Sequence, residues 1–473
     1  MTTAAPRVVE TDHEDPVRRP TAVLAIILVS YFMILLDNSV VFTGLPSIRE
    51  DLTLSPTQLS WVQDAYTLVF GGLLLLAARA GDLVGRRRLF VVGLLVFGTA
   101  SALIGVAPAG WWVIAARALQ GIGAAIVAPT SLALLTASFE GEARARAVSW
   151  YAATAGIGAS LGLVVGGALT DLVSWRAAFL VNVPIAVAMV VGARAVLVET
   201  PRRSGRFDLT GAVTATLGMG ALVFGVIESA ESGWGSARVF AALGLGVVLL
   251  AGLVVNEARA EQPIMPLRLF ASRERSGAYG VRLLYLGAMI GFFYFTTQLM
   301  QDGLGFTPLQ AGLGFLPMSV VNFAVALAIP RLSRRVRGPV LLAVGVALTL
   351  AGMAWLSRAG VDGSYLVSVA LPMVLVGAGQ GLAFAPLTSA GIAGVEPQDA
   401  GAASGMLNTA HQFGMALGLG VLVTVSASAG SATGAPAAVA EHVRAALTGS
   451  SVLLALALAA VLVVLLPTAR EPR

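Results

Sequence analysis

The chain has 473 residues, of which 57% are hydrophobic and only 12% charged, and its mean hydropathy is +0.85. A soluble domain carries about 25% charged residues, so this composition excludes a water-soluble globular fold and points to an all-α polytopic membrane protein. Cysteine is absent, which excludes disulfides, thiol catalysis and Cys-based zinc sites, and all 30 basic residues are Arg, set in short loops between apolar runs, so the +5 net charge reads as topology and not as a nucleic-acid footprint.

Residues 1–20 are polar and lack the charge order and cleavage site of a signal peptide, and are read as a disordered cytoplasmic tail. A helix needs about 20 apolar residues to cross a bilayer core. Fourteen stretches qualify: 21–43, 58–77, 89–107, 111–135, 148–170, 177–198, 210–228, 237–255, 279–299, 307–329, 339–357, 365–388, 403–426 and 449–467. With the N-terminus inside, and with Arg194 and Arg238 at span ends counted with their adjoining loops, the inner segments hold 23 Arg and the outer loops five, which leaves Arg117 and Arg282 within spans. This bias favours an even number of crossings with both termini cytoplasmic.

Span 1 carries Asp37. An acid at that depth costs several kcal/mol unless it faces a partner or water, so it is a functional-site candidate by default. By helical rise it lies roughly 24 Å from the inner surface, and Arg117 in span 4 lies roughly 9 Å below the outer one. Asp64, near the outer start of span 2, falls in the same band, so the three ionisable groups are expected to line a common cavity. An Arg stays charged and cannot itself carry a proton, but it biases a neighbouring acid that does. The competing reading is a static ion pair that fixes helix packing.

The loop after span 2 holds Gly81, Asp82, Gly85, Arg86, Arg87 and Arg88. Either it only sets orientation, or it forms a cytoplasmic latch in which Asp82 caps a helix and pairs with an Arg. The looser echo at 331–338 has Ser333 near the place of the acid. In span 5, Gly158, Gly162 and Gly166 recur every four residues and share a face with Gly167 nearby, which lets a neighbouring backbone approach closely.

The stretch 121–131, from Gly121 through Pro129, is echoed at 379–389, from Gly379 through Pro386. Transporters are commonly built from such repeats, with the substrate site near the midplane between them. The expected organisation is a tail at 1–20, a six-helix bundle at 21–200, an inserted two-helix hairpin at 201–260, a second six-helix bundle at 261–467 and a tail at 468–473. In the second half Arg282, near the start of span 9, is expected to snorkel to the interface. His411 is a candidate for protons or substrate, or is simply a hydrogen-bonded histidine. Glu228 is expected to be solvated. Tyr31, Asn322, Asn408 and Gln412 are further candidates for a substrate cavity. Asn182, Gln298 and Gln380 also need partners in lipid and should face the bundle interior. His13, His411 and His442 are too scattered for a metal site, so no metal is expected.

Four segments together resemble the major facilitator superfamily, specifically its fourteen-span drug:proton antiporters. They are Leu36-Asp37-Asn38-Ser39-Val40-Val41-Phe42-Thr43-Gly44-Leu45-Pro46-Ser47-Ile48, the turn Gly81 to Arg88, Arg117-Ala-Leu-Gln120-Gly121-Ile-Gly123, and the span-5 glycines. The resemblance implies the major facilitator fold and export of amphiphilic drugs or antibiotics across the bacterial cytoplasmic membrane. It links Arg117 to proton coupling, and Asp37 to coupling or to cationic drugs. It also implies a monomer with no cofactor besides the proton gradient. One departure is Leu163, where the antiporter signature has proline; this keeps open a transporter of the same fold that moves a metabolite or lipid without obligatory antiport. There is no G-x-x-x-x-G-K-[ST] motif to bind ATP, and no constellation of His, Cys or paired acids supports an enzyme.

Overall fold

The computed structural model describes residues 19–202, 207–360, 363–396, 399–429 and 436–468. The two tails and His13 fall almost wholly outside these residues. Among the described residues, thirteen helices are long and apolar enough to cross a membrane. In chain order they and one further helix are α1 (Pro20–Leu52), α2 (Pro56–Val84), α3 (Arg86–Gly105), α4 (Gly110–Ser138), α5 (Gly141–Leu172), α6 (Trp175–Val196), α7 (Leu209–Ser232), α8 (Ala237–Arg259), α9 (Arg273–Gly303), α10 (Pro308–Leu332), α11 (Gly338–Leu356), α12 (Leu366–Gly391), α13 (Ala400–Ala427) and α14 (Ala437–Leu465). The further one is α5, a 32-residue helix whose apolar stretch is Ser160–Leu172. Helix is the only regular structure among the described residues. In hydrocarbon each backbone amide needs an internal partner, and helices supply one without edges.

Local sequence sets the helix ends. The α2 helix opens on Ser55-Pro56-Thr57-Gln58, where Ser55 Oγ accepts from the Gln58 amide at 3.2 Å and Gln58 Oε1 accepts from the Ser55 amide at 3.1 Å. The α10 helix opens on Thr307-Pro308-Leu309-Gln310 with the same reciprocal cap, at 3.3 and 3.0 Å. Proline suits the first helical position because its missing N–H has no partner there in any case. These matched caps are a second trace of the repeat, beside the two Gly-rich copies on α4 and α12. Each of those helices packs on the two that precede it in the chain.

Several helices outrun their expected spans, α14 opening at Ala437 where 449 is expected, and two further differences bear on the site. The α1 helix runs on through Pro46 to Leu52, so the whole first motif lies on one helix. The α6 helix is interrupted at Val181, between segments Trp175–Leu180 and Asn182–Val196. Pro184 lacks the N–H that would bond back across this break, and the break falls where Asn182 is needed.

The core lies along the seams between helices. The α1 helix packs on α5, and α2 on both α4 and α13. Helices α7 and α8 form a hairpin. Its first helix lies against α2 and α13, where Met219, Val223 and Ile227 join Leu68, Phe413 and Ala416 in one apolar cluster. Its second helix is largely exposed, with Phe240, Leu245, Val247 and Val248 on its surface, as suits a helix turned to lipid. Glu228, at the end of α7, is only partly solvated: its side chain is 14% exposed, accepts from Ser232 Oγ at 2.5 Å and lies 3.9 Å from Arg238.

Candidate functional site: a buried ion pair and its surroundings

Five helices meet around Asp37. It is fully buried at the middle of α1. Its Oδ2 accepts from Arg117 Nη1 of α4 at 2.8 Å, while Oδ1 accepts from Gln120 Nε2 at 2.8 Å and from Asn182 Nδ2 of α6 at 2.7 Å. Gln120 sits one turn after Arg117, so both project from the same face of α4. Its Oε1 accepts from Arg117 Nη1 at 2.6 Å, and its Nε2 also reaches Ser101 Oγ of α3 at 2.8 Å. Arg117 Nε donates to the Val62 carbonyl of α2 at 3.0 Å, and the guanidinium lies 4.3 Å from the Tyr66 ring centroid. Among the described residues, Arg117 Nη2, Asn182 Oδ1 and the Tyr66 hydroxyl are left without a hydrogen-bond partner.

Burying two charges is costly, and their attraction offsets that cost only when their remaining donors and acceptors are also satisfied. Here each carboxylate oxygen is engaged, so neutralising Asp37 would leave a buried guanidinium short of its counter-ion. The pair ties α1 to α4, and Asn182 extends the tie to α6. Both residues were expected to share one depth, and they touch.

The third member of the expected band does not join them. Asp64 is buried on α2, and neither of its oxygens has a hydrogen-bond partner among the described residues. The three acidic and basic groups do not line a common cavity, because Asp37 and Arg117 are closed off by the helices they bridge. The neighbouring Gln63 donates to Asn38 Oδ1 at 3.2 Å instead.

The remaining cavity candidates are spread over several helices. Tyr31 of α1 stacks on Tyr151 of α5 with ring centroids 4.0 Å apart. Asn322 is half-buried on α10 with its carbonyl against Gly381 of α12, Asn408 is exposed and bonds the Ser404 carbonyl at 3.1 Å, and Gln412 packs against Gly71 of α2. His411 has a partner that the sequence reading had sent elsewhere. Arg282 does not snorkel: it is 3% exposed, its Nη2 donates to His411 Nδ1 at 3.1 Å, and its guanidinium lies 3.9 Å from the Phe384 centroid. Its stem runs into the α9–α13 interface instead of along the helix toward the surface.

At the arginine-rich end, Asp82 Oδ1 accepts from Arg86 Nη2 at 2.9 Å, and Arg86 Nη1 donates to the Ala133 carbonyl of α4 at 3.2 Å. Asp82 pairs as expected but caps no helix. That part falls to Glu199, which sequence reasoning missed: its carboxylate accepts the Arg87 and Arg88 amides at 3.0 and 3.1 Å. An anion at a helix N-terminus is favoured there, and the preceding Gly85, at φ 112, has no side chain to cap with. Glu199 lies 111 residues from Arg88, beyond any local motif.

The glycines of α5 do seal an interface. A methyl group on Gly162 would lie 2.6 Å from Ser39 Cβ, and one on Gly166 2.7 Å from Val40 Cα, both on α1. The equivalent distance from Gly158 to Leu35 Cβ is 2.9 Å. Gly167 faces the other way, 2.4 Å by the same measure from the Pro308 carbonyl of α10, and Gly312 of α10 returns the contact at 2.4 Å from the Leu163 carbonyl. At the same end, away from the arginine-rich turn, Arg49 pairs with Asp302 at 2.9 Å and Gln301 Nε2 donates to the Thr43 carbonyl at 2.9 Å. These contacts tie α1 and α5 to α9 and α10.

The family model described as Major Facilitator Superfamily matches residues 27–419. The chain is 42% identical to the cephamycin export protein CmcT of Amycolatopsis lactamdurans, over 95% of this chain and 93% of that one. It is 39% identical to the puromycin resistance protein pur8 of Streptomyces alboniger, over 89% and 83%. Among solved structures, a bacterial homolog of the human lysosomal transporter Spinster in an inward-facing, unoccupied conformation superposes with a TM-score of 0.70. That match covers 94% of this chain and 97% of the other at 15% identity, a likeness of fold alone.

Proposed function

The chain belongs to the major facilitator superfamily, and from that premise we propose that it exports amphiphilic drugs or antibiotics across the cytoplasmic membrane by proton antiport. It is a multi-pass membrane transporter and not an enzyme. The relatives named for cephamycin export and puromycin resistance support drug efflux as its task.

Antiport is supported above all by one observation, the fully buried Asp37–Arg117 pair with its braces Gln120 and Asn182. In this reading a proton from outside neutralises Asp37, Arg117 loses its counter-ion, and the tie between α1, α4 and α6 loosens as the protein changes state. Release of the proton inside restores the pair. The proton gradient is the only energy source required, and the working unit is the monomer.

The proposed architecture is two six-helix bundles, 21–200 and 261–467, with the hairpin 201–260 between them. Both termini and the arginine-rich turn lie on the cytoplasmic side, following the arginine bias. The state described here is then closed at its outer end by Arg49–Asp302 and by the Gly167 and Gly312 contacts.

The test is Asp37→Asn in proteoliposomes with an imposed proton gradient. Gradient-driven transport of a fluorescent drug should fall to background, while exchange of that drug without a gradient persists. Undiminished gradient-driven transport would remove Asp37 from the coupling mechanism and favour a carrier without antiport.

A further inference from the structure

Arg282 is a buried cation with no anion paired to it among the described residues. Counted from the starts of the expected spans at 279 and 403, Arg282 lies roughly 5 Å and His411 roughly 12 Å into a bilayer core of about 30 Å, both in the half where α9 and α13 enter it. Its one polar contact is the bond to His411 Nδ1, and its Nε and Nη1 are buried with no partner among the described residues. None of the described salt bridges includes it. The contrast with Arg117, whose charge is met by Asp37 and whose donors are mostly engaged, is sharp: the two span arginines share a burial and differ in compensation.

A guanidinium only donates, so His411 Nδ1 must be the unprotonated nitrogen, which leaves its Nε2–H as a further donor. Phe384 covers one face of the guanidinium and is itself 40% exposed, and Asn408, one turn before His411, is exposed as well. The site is thus a buried, positively charged group of donors beside an aromatic ring, Phe384, that is itself open on one side. An unpaired charge in such a place is costly, and a carboxylate arriving with its apolar body against Phe384 would offset that cost.

We propose that Arg282, with His411 and Phe384, recognises a carboxylate on the transported molecule, so that this exporter prefers amphiphiles that carry an acid to those that carry only a cation. The proposal rests on the reading of the chain as an exporter and names the substrate class for it. Arg282 fixes the anion, His411 holds the guanidinium in place and lends a donor, and Phe384 stacks on the ligand's ring system.

The experiment uses a rhodamine dye with a free benzoate and the same dye as its methyl ester. Binding to the purified protein is read by fluorescence polarisation, and transport is read in proteoliposomes. The wild type should bind the acid more tightly than the ester. Arg282→Gln should weaken acid binding about tenfold, the equivalent of about 1.4 kcal/mol, and leave ester binding unchanged, while Arg282→Lys restores part of the preference. Equal affinity for the two dyes in the wild type, or equal loss of both in Arg282→Gln, overturns the proposal. Thermal melting guards against misfolding: removal of an uncompensated charge should leave the melting temperature unchanged or raise it, and a marked fall would mean that Arg282 is structural. Should the wild type bind the acid selectively but move neither dye in the liposomes, the exporter reading fails and the anion site stands.

Discussion

Asp37 and Asp64 are two buried acids in adjacent helices with opposite surroundings, and they make opposite predictions. Asp37 accepts three hydrogen bonds, one of them from a buried guanidinium. Removing one partner of such a pair costs about 3–5 kcal/mol, so Asp37→Asn should lower the melting temperature of the purified protein distinctly. Asp64 has no partner to lose, so Asp64→Asn should leave melting unchanged or raise it. A fall for both of similar size would mean that Asp64 has bonds beyond those described. The sequence made Asp37 and Arg117 legible because a charge in an apolar run is conspicuous. It left Gln120 and Asn182 without a role, because neutral polar residues in spans are many and only proximity tells a brace from a bystander. Arg282 was misjudged for a related reason: distance from a helix start says how far a side chain would have to snorkel, but the direction it takes is set by the neighbour that packs over it.

At the scale of an element, the glycines of α5 show what spacing does and does not reveal. Their four-residue period implies a close contact on one face, and α1 supplies it. That Gly167 turns instead to α10 depends on which helix stands behind α5, which no period encodes. Gly162→Ala and Gly166→Ala should each cost about 1–3 kcal/mol from overpacking against α1, read as loss of melting temperature. Gly220→Ala in α7, where a methyl group meets nothing within 4 Å, should be neutral or gain up to about 1 kcal/mol from helix propensity. If all three behaved alike, the α1–α5 contact would not be the cause. Helix ends divide the same way. The caps of α2 and α10 are written in four consecutive residues each, whereas the N-terminus of α3 is capped by Glu199, from a distant point of the chain.

For the whole molecule, the contacts between the early and late helices cluster at the end away from the arginine-rich turn, with Arg49–Asp302 and Gln301–Thr43 beside the Gly167 and Gly312 approach. On the α2–α13 seam, by contrast, the packing also continues deeper, where Gly71 meets Gln412 and Gly405 meets Leu75, and α7 lies along that seam. If the protein alternates between states, the Arg49–Asp302 end must part. The chain has no native cysteine, so Arg49→Cys with Asp302→Cys gives an unambiguous reporter. A short bifunctional thiol reagent should bridge the two and stop transport, and reduction of a cleavable version should restore it. Full transport with the bridge in place would show that this end need not open.

Composition and arginine placement alone determined a many-spanning helical membrane protein, because a bilayer admits only helices and closed barrels and makes polar residues costly. Motif order determined the family, and the depth of Asp37 and Arg117 determined that they lie at one level. Only the tertiary structure decided that those two are paired and sealed, that Asp64 stands apart, that Glu199 caps α3, and that Arg282 lies buried against His411 with no anion paired to it among the described residues. The physical reason is the same in each case. Hydropathy and helical rise fix how deep a residue sits, whereas its partners depend on how each helix is rotated and which helices surround it, and that is settled by packing between segments far apart in the chain.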